Sequence, residues 1–175
     1  FRVHRPVLEQ EEPGTKQILF LDFDGETIDR NIFFDDVGPG IVELSPMSEF
    51  LSGWGLSPNQ ENAVVDSVLD VVHQKFDDVG LNGRNDDFGI EIRNSRDHAD
   101  PYGQPNVSRV IVGGTIFELG IPTIGIAQSI DVGNFDTEET AVVLLDTLSS
   151  PSIDPDTGLI NEDSLNSYLV NEPGK

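Results

Sequence analysis

The chain has 175 residues, of which 37% are hydrophobic, and it carries a formal net charge of -22 at pH 7. That length is enough for one domain with a substantial core. A surface this acidic repels phosphates and anionic lipid headgroups, which argues against nucleic-acid and membrane partners and favours cations such as calcium. The absence of cysteine excludes disulfides and thiolate chemistry. No apolar run approaches the roughly 20 residues of a membrane-spanning helix.

The two ends of the sequence differ in composition from its centre. Residues 1–16 carry prolines and an acidic cluster, which is typical of a leader or surface arm, and residues 149–175 form an acidic segment rich in Pro and Gly. Phe1 is not an initiator methionine, and no basic-then-apolar signal opens the sequence. We therefore expect one folded domain over residues 17–148, in a chain that is part of a longer protein.

The first strong strand signal is the segment Gln17–Asp24. Its period-two alternation places one set of side chains on a single face of the strand: Ile18, Phe20, Asp22 and Asp24. A short return strand is expected over Ile32–Phe34.

The sequence then predicts a loop over residues 35–57, because this stretch is rich in Gly, Pro and Ser. Its large apolar residues are expected to anchor the loop in the core: Phe50, Leu51 and Trp54.

The clearest helix is predicted over Asn59–Asp78. Ser57 is suited to the N-cap, Pro58 to the first helical position, and Gly80 to the end of the helix. Its apolar residues are expected to form one broad face that covers a sheet: Val64, Val65, Val68, Leu69, Val71, Val72 and Phe76.

Four further apolar runs rich in β-branched residues predict the remaining strands: Phe88–Ile92, Val107–Val112, Ile121–Ile130 and Ala141–Leu145. The second and third of these runs flank a Gly-rich connection and are interpreted as neighbouring strands. The glycines at 113 and 114 indicate a tight turn or a close backbone approach. The expected fold class is α+β, with a twisted, mixed sheet of about five strands backed by one long helix.

Four short segments occur in a characteristic order: Leu21-Asp-Phe-Asp-Gly25, the Asn59–Asp78 helix, Val110-Ile-Val-Gly-Gly114 and Gly125-Ile-Ala127. This order resembles the N-terminal subdomain of the metzincin-like (reprolysin-type) zinc metallopeptidases. The amino-acid sequences of several segments are similar to those of a bacterial secreted branch of that clan. The resemblance spans residues 17–148. It implies a secreted enzyme that hydrolyses peptide bonds in peptide or protein substrates and uses zinc.

The zinc-binding motif of that clan, HExxH, does not occur in this sequence. Its two histidines bind zinc from one helical face, and its glutamate activates the bound water. His4, His73 and His98 are followed by Arg, Gln and Ala, so none of them begins the motif. The resemblance therefore implies that sequence outside this chain supplies the zinc ligands and the general base. This chain alone is expected to be inactive and to have the remainder of its own catalytic domain as a partner.

In the same family an extended peptide lies antiparallel to the edge strand that precedes the zinc helix. By resemblance that strand is Gly125–Ser129, which makes four residues candidates for substrate binding: Gly125, Ile126, Ala127 and Gln128. The small residues at 125 and 127 would allow a peptide backbone to approach. The alternative is that they are simply small residues on a packed strand.

The segment Asp22-Phe-Asp24-Gly25 also resembles the signature of haloacid-dehalogenase-like phosphatases. There the first Asp is the nucleophile and the second is the acid/base, and both lie on one strand face. Here Glu26 occupies the position where a Thr is expected, and only three lysines are present to bind phosphate. A strand end followed by acidic turn residues is the alternative interpretation.

Asp154 and Asp156, in the sequence Asp-Pro-Asp-Thr-Gly, are the candidate calcium ligands. The pattern differs from an EF-hand because Gly158 falls where a ligand is required, and an ordinary Asx/Pro turn is the alternative. If calcium does bind there, a non-catalytic, calcium-dependent binding or adhesion module on the same fold becomes a second functional hypothesis.

Overall fold

The structure is a computed structural model that describes residues 16–34, 40–78, 89–129 and 138–146. The described part contains seven strands: β1 Lys16–Asp22, β2 Glu26–Asp29, β3 Ile41–Leu44, β4 Gly89–Asn94, β5 Val107–Val112, β6 Gly125–Ala127 and β7 Glu138–Val143. It also contains two α-helices, α1 Glu61–Asp78 and α2 Ile116–Leu119, and 3₁₀ segments at Arg30–Ile32, Met47–Trp54 and Pro58–Gln60.

Five strands form the main sheet, in the order β4-β1-β5-β7-β6. The first four are parallel to one another, and β6 runs antiparallel to β7 at one edge. β2 and β3 form a separate antiparallel pair. The prediction of a five-stranded mixed sheet with one long helix is confirmed at this level, and the architecture is compatible with the α+β class.

One face of the sheet packs against α1. Register pairs Leu19 with Ile92 and Leu21 with Val110, so these apolar side chains share a face. Leu21 and Val65 of α1 belong to one buried cluster. The partly buried residues Leu19, Ile92 and Val110 pack against this cluster. The central strands β1 and β5 carry apolar side chains on both faces, as expected for parallel strands in the interior of a sheet.

The opposite face of the sheet packs against the β2–β3 pair. Ile28 and Leu44 from that pair share a buried cluster with Ile111 and Val142. Phe20 at the centre of β1 has no solvent exposure. The same alternation that places Leu21 towards α1 therefore places Phe20 towards the opposite layer.

The runs Val107–Val112 and Ile121–Ile130, which were predicted to be neighbouring strands, are not adjacent in the sheet. β7 lies between β5 and β6. β5 and β7 pair in parallel over six residues, whereas the described part of the predicted strand Ile121–Ile130 contributes the three residues of β6. A short strand with exposed small residues suits an edge, and the longer apolar strand suits the interior.

The predicted return strand Ile32–Phe34 is also wrong. Asp29 ends β2 by accepting a hydrogen bond from the Asn31 amide at 3.0 Å, and this bond caps a 3₁₀ turn instead. The return strand is β3, Ile41–Leu44, inside the predicted loop 35–57.

Much of the rest of that predicted loop is the 3₁₀ helix Met47–Trp54. Leu51 and Trp54 are buried there, as expected for core anchors, and Phe50 stacks on Trp54 with ring centroids 6.5 Å apart.

The long helix is confirmed with a slightly later start. A 3₁₀ turn at Pro58–Gln60 precedes α1, and the Ser57 amide donates to the Gln60 side-chain oxygen at 2.9 Å, as in a capping box. Val71 does not belong to the buried face, since it is 51% exposed. The predicted stop at Gly80 lies outside the described residues.

Candidate peptide-binding edge

β6 is an outer strand of the described sheet and contains most of the residues predicted to bind substrate. Gly125 lies opposite Val143, and Ala127 lies opposite Ala141. The Gln128 amide donates to the Thr140 carbonyl at 2.9 Å, one residue beyond the end of β6. At the other end, the Leu144 amide donates to the Ile124 carbonyl at 2.9 Å.

These two hydrogen bonds determine which backbone groups of β6 point towards β7. In an antiparallel pair, alternate residues exchange hydrogen bonds with the neighbouring strand, and the residues between them direct their N–H and C=O groups the other way. Ile124, Ile126 and Gln128 therefore face β7. Gly125 and Ala127 face the free edge.

The four predicted substrate-binding residues thus divide into two pairs. The backbone groups of Ile126 and Gln128 belong to the β6–β7 ladder, so a peptide cannot use them without breaking the sheet. Ala127 directs its N–H and C=O groups outward, where no described strand pairs with them.

The glycine at 125 has a structural role within the sheet. A Cβ atom at this position would lie 3.1 Å from the Val142 carbonyl oxygen, which is tighter than an ordinary contact. The small residue therefore lets β7 approach, as the alternative sequence interpretation proposed for both small residues. Ala127 is exposed.

Thr123 contacts the outward-facing backbone of Gly125. Its hydroxyl donates to the Gly125 carbonyl oxygen at 2.7 Å. The Gly125 amide in turn donates to the same hydroxyl oxygen at 3.2 Å. A side chain therefore satisfies the edge-facing groups of Gly125, whereas no described residue hydrogen-bonds to those of Ala127.

A short helix between β5 and β6, which sequence reasoning missed, leads the chain towards the edge. Thr115 and Glu118 form a capping box around α2: the Glu118 amide donates to the Thr115 hydroxyl oxygen at 3.0 Å, and the Thr115 amide donates to the Glu118 carboxylate at 2.8 Å. The Thr-x-x-Glu spacing was the signal that could have predicted α2. Gly120 ends the helix in the left-handed conformation, with φ of 74°.

The face of the sheet next to β6 is only partly covered on the side of α1. Register places Val110 and Ala141 side by side on this face, and likewise Val112 and Val143. All four are partly buried, and the two residues of β6 on the same face, Gly125 and Ala127, are exposed. An apolar strip therefore borders the candidate edge.

Asp22, the candidate phosphatase nucleophile, is buried at the end of β1 and only 2% exposed. Its Oδ1 lies 3.3 Å from the Asp24 amide, which donates to it. Burial, followed by the nearby Asp24 carboxyl group and then Glu26, raises the pKa of Asp22 to about 8. Asp24 itself is exposed. The period-two pattern therefore placed Asp22 correctly on the Phe20 face, but the two carboxyl groups lie in different environments.

Arg109 on β5 is a second buried charged group, and sequence reasoning did not single it out. It is 5% exposed, and its Nη1 donates to the Glu26 carboxylate at 2.7 Å. Its guanidinium also lies 3.7 Å from the centroid of the Tyr102 ring. This ion pair ties β2 to the face of the sheet, and the Asp100 carboxylate lies 4.0 Å from the same Nη1 as a second, more distant counterion.

The predicted metal ligands remain untested. Asp154 and Asp156 lie outside the described residues. Within the described ranges, no group of three or more His, Asp or Glu side chains is placed to hold a metal ion. None of the described helices is long and apolar enough to cross a lipid bilayer.

No protein-family model matches this chain, and no match was found among curated proteins or solved structures.

The raised pKa of Asp22 predicts a specific dependence of stability on pH. The folded protein holds a proton on Asp22 up to about pH 8, whereas the unfolded chain releases it near 3.8. The contribution of Asp22 to the free energy of unfolding is therefore fully present below about pH 4 and declines as the pH rises to about 8. Asp22→Asn, which mimics the protonated form, should be more stable than the wild type near pH 8 by roughly 2–4 kcal/mol.

Urea denaturation across this pH range measures the effect. Asp70→Asn is the matched control, since it removes the same formal charge from an exposed position on α1. If the free energy of unfolding fell with pH equally steeply in the wild type and in both variants, the decline would reflect general charge repulsion. That result would contradict the raised pKa of Asp22.

Proposed function

We propose that this chain is the N-terminal part of the catalytic domain of a secreted, metzincin-like zinc metallopeptidase, and that β6 binds the peptide substrate as an added strand. The observation that carries the proposal is the edge itself. An antiparallel strand ends an otherwise parallel sheet, and the backbone groups of Ala127 face away from that sheet. Strand addition uses such groups for affinity, and it leaves alternate side chains of the peptide to supply specificity.

The order of elements supports the same proposal. The resemblance led us to expect an edge strand over Gly125–Ser129 and a long helix against the sheet, and β6 and α1 occupy those places. The partly covered strip next to β6, formed by Val110, Val112, Ala141 and Val143, provides an apolar surface on which a further helix can pack. In the proposal, the zinc-bearing helix of the remaining catalytic domain packs there.

No catalytic step is assigned to the residues of this chain. The described side chains include no group suited to zinc, and HExxH is absent from the 175 residues. Zinc would supply the activated water in the complete enzyme. This chain would hold the substrate extended and fix its position.

The proposal predicts that the longer polypeptide contains the missing motif. The encoded sequence after Lys175 should contain HExxH within a few tens of residues, and that longer protein should hydrolyse casein in a zinc-dependent manner. The 175-residue chain should neither bind zinc tightly nor cleave casein. Zinc-dependent cleavage by the purified 175-residue chain would contradict the division of roles, and a downstream sequence without the motif would remove the enzyme assignment.

A non-catalytic binding module is the second candidate function. It is favoured by the net charge of -22, which suits calcium or basic partners. It uses the same edge, so the downstream sequence distinguishes it from the peptidase. Calcium binding at Asp154 and Asp156 remains a hypothesis drawn from sequence.

The described geometry does not favour a phosphatase. A nucleophilic carboxylate must be ionised and within reach of the substrate. Asp22 is 2% exposed, and its pKa of about 8 leaves it largely protonated at neutral pH.

Strand addition at β6 predicts a selective effect of proline at position 127. Ala127→Pro removes the outward N–H but leaves the β6–β7 ladder intact, because proline is tolerated where the N–H faces away from the sheet. Ala127→Ser keeps the N–H and is the matched control. The probe is an acetylated, amidated heptapeptide of alternating Lys and Val, which favours the extended conformation and complements the acidic surface.

NMR titration should show that Ala127→Pro binds this peptide about tenfold more weakly than Ala127→Ser. Both variants should melt at similar temperatures. The same peptide with alternate backbone nitrogens methylated should bind the wild type poorly, because it lacks the donors. Equal binding of the methylated and unmethylated peptides would show that charge attraction alone is responsible and would refute strand addition.

A further inference from the structure

We infer that the Thr123 hydroxyl caps the free edge at Gly125 and thereby sets the register in which a peptide strand adds to β6. This inference rests on the proposed function, since the added strand is taken to be a peptide ligand. It assigns a specificity-determining role to a residue that lies outside β6 and that the sequence pattern did not mark.

The evidence is that the outward-facing N–H and C=O groups of Gly125 are already hydrogen-bonded. The β6–β7 register directs the N–H and C=O of this residue away from β7. The Thr123 hydroxyl oxygen lies 2.7 Å from that carbonyl oxygen and 3.2 Å from that amide nitrogen, and it serves as donor to the first and acceptor from the second. A peptide that paired with Gly125 would have to displace the hydroxyl from both groups.

Ala127 is the next residue whose backbone faces outward, two positions or about 7 Å further along the strand. Beyond it, the Ser129 hydroxyl donates to the Glu139 carboxylate, which ties the end of this segment to β7. Within β6 itself, which ends at Ala127, that residue is therefore the outward-facing one whose backbone is not bonded by a described side chain. An incoming peptide must align its own hydrogen-bonding residue with Ala127 rather than with Gly125.

Such a cap has a physical benefit beyond register. An exposed strand edge can pair with any extended chain, including another copy of the same protein, and proteins limit this by shortening or blocking their edges. A hydroxyl that satisfies both backbone groups of one edge residue removes that residue from indiscriminate pairing. It still leaves a nearby site open for a ligand.

Thr123→Val tests the cap, because it removes the hydroxyl while preserving the shape of the side chain. Thr123→Ser keeps the hydroxyl and is the matched control. In the free protein, the Gly125 amide should exchange with solvent several-fold faster in the Val variant, and at the wild-type rate in the Ser variant. The alternating Lys-Val heptapeptide should bind the Val variant about fivefold more tightly than the wild type, with new chemical-shift changes at Gly125.

The outcomes separate this inference from the proposed function. Peptide binding that is lost in Ala127→Pro but unchanged in Thr123→Val would support the edge as a binding site and overturn the cap. Unaltered exchange of the Gly125 amide in the Val variant would also overturn it. Binding to the Val variant alone would show that the hydroxyl closes the whole edge, and would overturn both the register role of Thr123 and peptide binding by the wild type. Failure of the wild type and the Val variant alike to bind the peptide would overturn both proposals.

Discussion

The parallel pairing of β5 with β7 determines where the rest of the chain lies. The two strands are joined over six residues, from Val107 opposite Glu138 to Val112 opposite Val143. Because β7 follows β6 in sequence but lies between β6 and β5 in space, β6 is displaced to the edge and runs antiparallel to its neighbour. The edge position of β6 and the apolar strip beside it follow from that pairing, and the β6–β7 register then turns the backbone groups of Gly125 and Ala127 outward.

The elements of this fold could be predicted from local sequence more readily than their order. β1, β5 and α1 are marked by apolar runs with clear periodicity, and each is present within one or two residues of its expected bounds. The close approach expected at Gly113 is also present, since a Cβ atom there would lie 2.4 Å from the Ser45 carbonyl oxygen. The exchange of β6 and β7 could not be predicted in this way, because it depends on pairing between distant segments rather than on the composition of either strand.

Two smaller errors have local physical causes. β3 was missed because it is four residues long and begins at Ile41, which is 68% exposed, so it lacks the alternation of a half-buried strand. α2 was missed because its four residues are too few to show helical periodicity, although the Thr115 capping box marked its start.

Some features of the candidate site could likewise be predicted from sequence, and others required the strand register. Resemblance pointed to Gly125–Ser129 as an edge, and β6 is an edge strand. The division of its residues into inward-facing Ile126 and outward-facing Ala127 required the register, as did the role of Thr123. Burial of Asp22 and Arg109 was likewise invisible in the sequence, because a strand pattern assigns a face without saying what covers it.

The pairing of β6 with β7 can be tested most directly by NMR of the chain in solution. In an antiparallel pair, residues opposite each other without mutual hydrogen bonds bring their Cα atoms to about 4.5 Å, which gives strong contacts between their α-protons. The structure predicts such contacts between Ala127 and Ala141 and between Gly125 and Val143, with slow amide exchange at Ile126 and Gln128 and fast exchange at Ala127. Contacts of β6 with β5 instead, or an Ala127 amide as protected as those of its neighbours, would contradict the account.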